Sequence, residues 1–311
     1  MPAPHYSVVI AAYNAERTIA SAVASVLAQT VSDLEVTVVD DGSSDHTAAV
    51  VERIRDPRVR FHSQANRGPA AARNAGIVAS RGKYIGFLDS DDLWLPEYLA
   101  LAGAGLDDAL RPGFAYTDAY MFDAASGRVR RRTMMQATGA PTTLPADRDR
   151  FLLELLKRNF VHNSTAVPRD VLEHVGGYDE SRLRVEDYEL WLRIIARGYR
   201  PVWIPGQHAL YRTHPGQVSR DHPRMVRELA AMFESFNVEG LPEAHREIVA
   251  RRRLEAEREL RVLERDGRGR WRLRQVRHAL GRARKRVGLG ERWYNAPPAE
   301  VATVFPNLTA V

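Results

Sequence analysis

Apolar residues follow two different periods along the first 110 residues. Ser7-Val8-Val9-Ile10-Ala11-Ala12-Tyr13 is a continuous apolar run of strand length, and Val36-Thr37-Val38-Val39-Asp40 is a second. Between them, Ile19, Val23, Val26 and Leu27 recur at helical spacing over residues 16–29. A strand, a helix and a second strand make a βαβ unit, which implies a parallel pair. Ser44 or Asp45 can cap a following helix that runs to about residue 55. Residues 59–62 predict a short third strand, 69–79 an alanine-rich helix, and 83–88 a fourth strand, after which Pro96 introduces another helix. This alternation predicts an open α/β sheet with helices on both faces.

Beyond residue 111 the pattern is less regular. Residues 114–116 and the stretch around Val129 predict a hairpin, and 148–158, 169–174 and 186–197 predict helices. The last is amphipathic through Leu190, Trp191, Ile194 and Ile195. Residues 201–204 and 209–212 read as two strands. From residue 223 helices dominate, including 243–264 and 271–286, with Asp266-Gly267-Arg268-Gly269 expected to split them. Residues 296–311 contain proline, are weakly patterned and read as a loose tail. No internal repeat is present. The chain therefore divides into an α/β domain over 1–220, with halves meeting near residue 110, a helical extension over 221–295, and the tail.

A chain of 311 residues can bury a sizeable core. Its 44% hydrophobic and 27% charged content are those of a soluble globular protein. With no cysteine, disulfides and thiolate chemistry are excluded. No apolar stretch approaches the roughly 18 residues that span a bilayer, and the first residues lack the basic and long apolar regions of a secretory signal. The expected location is cytoplasmic. The net charge of +6 is uneven: residues 241–295 carry 17 Arg or Lys against 8 Asp or Glu, so the remainder is mildly acidic. A basic segment on such a body points to an anionic surface, membrane or nucleic acid.

The chemistry-bearing residues cluster at strand ends. Asp89-Ser90-Asp91-Asp92 closes the fourth strand, and three carboxylates in four residues do not sit unpaired in a dry core. Hard oxygen ligands at alternate positions suit Mg²⁺ or Mn²⁺ with substrate phosphates; an acidic turn capping the next helix is the competing reading. Asp40-Asp41-Gly42-Ser43-Ser44-Asp45 follows the second strand, where a carboxylate can accept from a nucleobase N–H or ribose hydroxyl, or cap a helix. Arg67 and Arg73, on either side of the Gly68-Pro69 turn, can engage a diphosphate through their planar forks, or stand as a solvated pair.

Together these segments resemble glycosyltransferase family 2, the inverting nucleotide-sugar-dependent enzymes of GT-A fold. The resemblance runs in order through Ser7-Val8-Val9-Ile10-Ala11-Ala12-Tyr13-Asn14, Asp40-Asp41-Gly42-Ser43, Asn66-Arg67-Gly68, Ala72-Arg73-Asn74 and Phe87-Leu88-Asp89-Ser90-Asp91-Asp92, covering about residues 6–215. It implies a Rossmann-like, mostly parallel mixed sheet flanked by helices, with the basic helical C-terminal extension appended. It makes Ala11 and Tyr13 nucleotide contacts, Asp41 the base-binding carboxylate and Arg73 a nucleotide contact. Asp89 and Asp91 match the family's Asp-X-Asp, with Asp91 the direct ligand of Mn²⁺ or Mg²⁺.

In the second half, Val185-Glu186-Asp187-Tyr188-Glu189-Leu190-Trp191 looks like the family's acceptor-side Glu-Asp motif. The resemblance makes Asp187 the general base, which takes the acceptor hydroxyl's proton, and puts Glu186 and Trp191 in acceptor-orienting positions. A carboxylate pair at a helix start also complements the helix dipole, which is the plainer reading. The segment 211–219, Tyr211-Arg212-Thr213-His214-Pro215-Gly216-Gln217-Val218-Ser219, resembles a later family segment, and His214 becomes a candidate metal ligand or phosphate contact. His162 and His208 read as structural. Residues 121–145, rich in Arg and Met, are expected to form a loop closing over the donor.

The implied donor is a nucleotide-diphosphate sugar, uridine favoured, and the implied acceptor a hydroxyl on a glycan or lipid-linked glycan, in cell-surface polysaccharide synthesis. Arg251-Arg252-Arg253 and Arg282-Ala283-Arg284-Lys285-Arg286, on amphipathic patterns, can lie on an anionic inner-membrane face or pack on the domain. A scaffold that binds nucleotide-sugar without turnover is the alternative, and retention of Asp41, Asp89, Asp91 and Asp187 speaks against it. Nucleic-acid binding is set aside, because the tail has few interleaved aromatics beyond Trp271 and Trp293 and no recognised nucleic-acid fold.

Overall fold

The computed structural model describes residues 3–214, 217, 221–285 and 297–305. The first half alternates as its periodicity predicts: β1 (Tyr6–Ala12), α1 (Ile19–Leu27), β2 (Leu34–Asp40), α2 (Thr47–Glu52), β3 (Val59–Ser63), α3 (Pro69–Ala79) and β4 (Tyr84–Phe87). Next come β5 (Leu93–Trp94), α4 (Tyr98–Asp108), a long β6 (Pro112–Asp123), β7 (Arg128–Val129), α5 (Met134–Thr138) and α6 (Arg148–Lys157). The remaining elements are β8 (Thr165–Pro168), α7 (Arg169–Val175), α8 (Glu186–Ala196), β9 (Arg200–Thr213), α9 (His222–Ser235), α10 (Glu243–Lys285) and α11 (Ala299–Val304).

The strands form one sheet in the order β3-β2-β1-β4-β8-β6-β9-β5, with β7 hairpinned onto β6. β1 to β4 are mutually parallel. β8 runs antiparallel to both β4 and β6, so β6 and its parallel partner β9 share the direction of β1. Mostly parallel order thus holds, and the carboxyl ends of β1, β2 and β4 open on one edge, where α/β sheets bind ligands.

Side-chain alternation along β1 feeds two cores. Val8 and Ile10 pack with Val36, Trp94 and Tyr98 on one face, while Val9 packs with Phe87, Phe114 and Trp191 on the other. On the Val9 face, α3 presents Ala70, Ala72 and Gly76, so helix and sheet approach closely: a Cβ at Gly76 would stand 2.3 Å from Val9 Cγ1.

Four expectations change. The two strands foreseen over 201–212 are one strand, β9; Pro205-Gly206 shifts its register against β6 near Asp118 instead of turning the chain. Asp266-Gly267-Arg268-Gly269 does not break α10, which continues to Lys285, interior glycines costing a helix only about 1 kcal/mol each. The stretch 121–145 is not one open loop but carries β7 and the capped helix α5, with Met135 buried. The tail is not loose throughout, since α11 buries Val301 completely. Arg286, Trp293, residues 306–311 and most of the stretch 215–220 lie outside the described residues. No helix among the described residues is long and apolar enough to cross a membrane.

Candidate active site

The first wall of the site is knitted by side-chain-to-backbone bonds between strand ends. Asn14 takes a left-handed conformation (φ 51°), which its short polar side chain tolerates. Its N–H donates to Ser43 Oγ (2.9 Å), and its Oδ1 accepts from the Ser44 N–H (2.9 Å). Asp45 Oδ1 accepts from the Thr47 N–H at 2.9 Å, but the cap position of α2 is His46, which makes no side-chain capping bond, so neither Ser44 nor Asp45 is the cap expected from the sequence. Asp40 accepts from the Ser43 N–H (3.2 Å) and hydroxyl. Gly42 is required here twice: its φ is +73°, and a Cβ would stand 2.8 Å from the Asn66 nitrogen.

Asp41 is buried, and its carboxylate has internal work. Oδ1 accepts from the Arg67 N–H (2.9 Å) and Gln64 Nε2 (2.8 Å), and Oδ2 from the Gly68 N–H (2.8 Å). It fastens the 64–68 loop to the end of β2, a role the sequence did not suggest. Beside it, Ala11 is half-buried and Tyr13 is 54% exposed.

The two arginines do not form one diphosphate fork. Arg67 is exposed and pairs with Glu180 Oε2 at 2.7 Å. Arg73, on α3, is buried and spans two carboxylates: Nη1 donates to Glu186 Oε1 (2.6 Å) and Nη2 to Asp89 Oδ1 (2.8 Å), with its guanidinium 5.3 Å from the Tyr178 ring centroid. Burial opposes its charge, yet Asp89 and Glu186 hold it protonated well above the ordinary range. With both ends engaged, Arg73 has no free fork for phosphate.

Asp89 Oδ1 also accepts from Asn163 Nδ2 (2.7 Å), and Asn163 Oδ1 accepts from the Tyr178 hydroxyl (3.2 Å). Asn74 locks the Gly176-Gly177-Tyr178 turn, accepting from the Tyr178 N–H (2.9 Å) and donating to its carbonyl (2.9 Å). Asn163 was missed by sequence reasoning. The signal lay in His162-Asn163-Ser164-Thr165, four polar residues wedged between apolar pairs and all buried.

Asp91 Oδ2 lies 3.0 Å from His214 Nε2, each side chain about 32% exposed. That spacing matches two adjacent ligands of an octahedral ion with bonds of about 2.1 Å. No third His, Asp or Glu among the described residues completes a cluster. The residues fit an ion that takes its other ligands from water and phosphate, but Asp89, held by Arg73 and Asn163, does not join the pair as expected. Asp92 is buried behind them: Oδ1 accepts from the Arg212 N–H (2.8 Å), and burial, with Asp91 and Asp89 nearby, pushes its carboxyl well above the usual range. Arg212 Nε donates to the Asp91 carbonyl at 2.6 Å.

Asp187 opens α8 half-buried, its Oδ1 accepting from the Tyr188 N–H at 2.6 Å. Desolvation first, then the neighbouring Glu186 and Asp89, push its carboxyl up to about 7, against the pull of Arg73. Glu186 is buried, and its Oε2 has no protein partner. Trp191 corrects the sequence expectation: it is fully buried, 4.8 Å from Phe114 between ring centroids, with no surface left to face an acceptor. His162 is structural as expected, bonding the Thr117 carbonyl (3.1 Å), and His208 bonds that of Pro205 (2.8 Å).

Acidic strand ends, a bridging arginine and a helix-start carboxylate poised near neutrality coincide with a sequence match: the model of glycosyl transferase family 2 fits residues 7–176. The chain belongs to that family. This glycosyltransferase is 36% identical over 246 residues to the succinoglycan biosynthesis protein ExoO of Rhizobium meliloti, covering 76% of this chain and 70% of the relative. It is 27% identical over 246 residues to WfaP of Escherichia coli, a UDP-Glc:α-D-GlcNAc-diphosphoundecaprenol β-1,3-glucosyltransferase, covering 78% and 89%. Among solved structures, Staphylococcus aureus TarS 1–349 in complex with UDP-GlcNAc superimposes with a TM-score of 0.60 at 23% identity, over 81% and 72% of the two chains. The mannosyltransferase PcManGT of Pyrobaculum calidifontis, bound to GDP-Man and Mn²⁺, gives 0.58 at 18% identity over 90% and 81%. The glycosyltransferase shares their fold.

Proposed function

We propose that this glycosyltransferase moves a sugar from a uridine-diphosphate donor to a hydroxyl of a lipid-linked glycan, with inversion, in the assembly of a surface polysaccharide. The observation that carries the reading is the Arg73 bridge, which joins the Asp89 end of β4 to the Glu186-Asp187 start of α8. The names of the succinoglycan biosynthesis protein ExoO and of WfaP support the pathway and the acceptor class, and the UDP-GlcNAc complex of TarS supports the nucleotide.

In this reading Asp187 takes the proton of the acceptor hydroxyl, and Glu186 orients that hydroxyl through its unpartnered Oε2. The acceptor oxygen bonds to the anomeric carbon as the bond from that carbon to the diphosphate oxygen breaks, the electron pair leaving with the diphosphate. Asp91 and His214 would hold Mn²⁺ or Mg²⁺, whose charge, when bound, offsets that growing on the diphosphate. Ala11, Tyr13 and the loop fastened by Asp41 would line the nucleoside, and Arg67 would reach the phosphates by releasing Glu180. A cytoplasmic location, with α10 against the anionic leaflet, accords with exposed Arg251 and with a lipid-linked acceptor; flotation with anionic vesicles tests it.

The deciding experiment pairs turnover with ligand binding. Asp187→Asn is expected to lose transfer by about 10²- to 10⁴-fold, the usual contribution of a general base, while UDP binding in Mn²⁺ stays parental. Undiminished transfer in that variant would remove Asp187 from the reaction.

A further inference from the structure

A ladder as short as any in the sheet lies beneath the candidate metal pair. β5 meets β9 through only two registered pairs, Leu93↔Leu210 and Trp94↔Ala209. Leu93 stands two residues after Asp91, and Leu210 four before His214. A ladder of that length does not hold itself together and needs packing from a third element.

On the Trp94 side that packing comes from α1 and a main core, with the Trp94 N–H donating to Ser25 Oγ at 3.2 Å; on the Leu93 side it comes from the far end of the chain. Leu93 and Leu210 belong to a small core with Leu95, Tyr120, Phe122 and Val129, separate from the two main ones, and Val301 of α11 is enclosed in it with no exposed surface. Phe305 packs against the same group. Phe122 carries the Arg212 guanidinium 5.3 Å from its ring centroid, and Arg212 in turn holds the Asp91 carbonyl and the Asp92 carboxylate. Both members of the Asp91–His214 pair are therefore suspended from one packed unit that Val301 completes.

We infer that α11 is a latch which sets the separation of Asp91 and His214, making Val301 a positioning residue for the divalent ion; the inference rests on the metal reading proposed above. The latch needs no contact with donor or acceptor. It acts by keeping β5 seated on β9.

Electron paramagnetic resonance of free Mn²⁺ titrated into the full chain tests this without turnover. Val301→Ala and Val301→Asp are expected to weaken Mn²⁺ binding by about tenfold or more, the scale on which residues behind metal ligands act, while Val301→Ile stays near the parent. Parental Mn²⁺ affinity in Val301→Ala, with a cooperative melt, overturns the latch, and this variant decides alone should Val301→Asp fail to fold. His214→Ala separates the two readings. If it weakens Mn²⁺ binding and Val301→Ala does not, only the latch falls; if it leaves binding unchanged, the metal reading falls and the latch with it.

Discussion

Arg73 Nη1 lies 2.6 Å from Glu186 Oε1, across 113 positions of sequence. The same guanidinium reaches Asp89 at 2.8 Å. One side chain thereby fixes the end of β4 against the start of α8 and neutralises carboxylates from both halves of the domain.

Removing that side chain leaves Glu186 buried beside Asp187 without a counter-charge. Arg73→Met is expected to destabilise the fold by about 3–5 kcal/mol, the cost of breaking a buried pair from one side. Arg73→Lys should recover little, because a compact ammonium lacks the planar fork that serves both carboxylates. Denaturant unfolding at neutral pH measures both; a change under 1 kcal/mol for Arg73→Met would show the bridge to be dispensable.

Asp187 should leave its mark on the pH profile. Its carboxyl, raised from 3.8 to about 7, is protonated below that pH and cannot accept a proton there. The rate should climb with pH and level off above about 7, a limb that Asp187→Asn removes along with activity. Stability moves the other way. Between about pH 4 and 7 the folded chain holds a proton that the unfolded chain releases, so this group's contribution falls as pH rises through that window.

Glu35 carries the opposite sign. Burial alone would raise its carboxyl, but the Ser7 hydroxyl (2.7 Å), the Arg81 N–H (2.8 Å) and the Arg81 guanidinium (2.9 Å) outweigh it and lower it below 4.5. Its stabilisation is present above about pH 4.5 and lost as acid protonates the group. Glu35→Gln should cost about 1.5–3 kcal/mol at pH 7, the range for hydrogen bonds to a charged group, and the difference from the parent should shrink by pH 3. Urea titrations at the two pH values read this directly.

Gly76 tests the fit of α3 on the sheet. Gly76→Ala places a methyl 2.3 Å from Val9 Cγ1, and valine has no flexible end to move aside. A loss of about 1–3 kcal/mol is expected, the cost of overpacking, and Val9→Ala should relieve part of it. The coupling from a double-mutant cycle is the readout; strict additivity would place the strain elsewhere.

The first half of the fold was legible because each element there is an uninterrupted period: α3 begins and ends where Pro69 and Ala79 said it would. β5 and β8 were not. Two and four residues long, they are held by partners distant in sequence, Leu210 for Leu93 and Phe87 for Thr165, which local pattern does not carry. At the site, the family resemblance marked Asp91, His214 and Asp187, but not which partners each would choose. Arg73 was read as a hand for phosphate because its two carboxylates lie 16 and 113 positions away. Trp191 sat in a functional motif, and only its helical phase, shared with Leu190 and Ile194, hinted that it faces inward.

β8 runs against its neighbours, and this decides which of its residues reach the cleft. Its parallel companions can furnish the ligand edge only from their carboxyl ends, whereas β8 furnishes it from its amino end. Its register, Phe87 opposite Thr165, continues past the ladder to bring Asn163 opposite Asp89. An insertion between Asn163 and Thr165 would therefore slide the amide off the carboxylate while leaving the sheet intact, so the spacing of this unassuming tetrapeptide is as constrained as that of the acidic turn it faces.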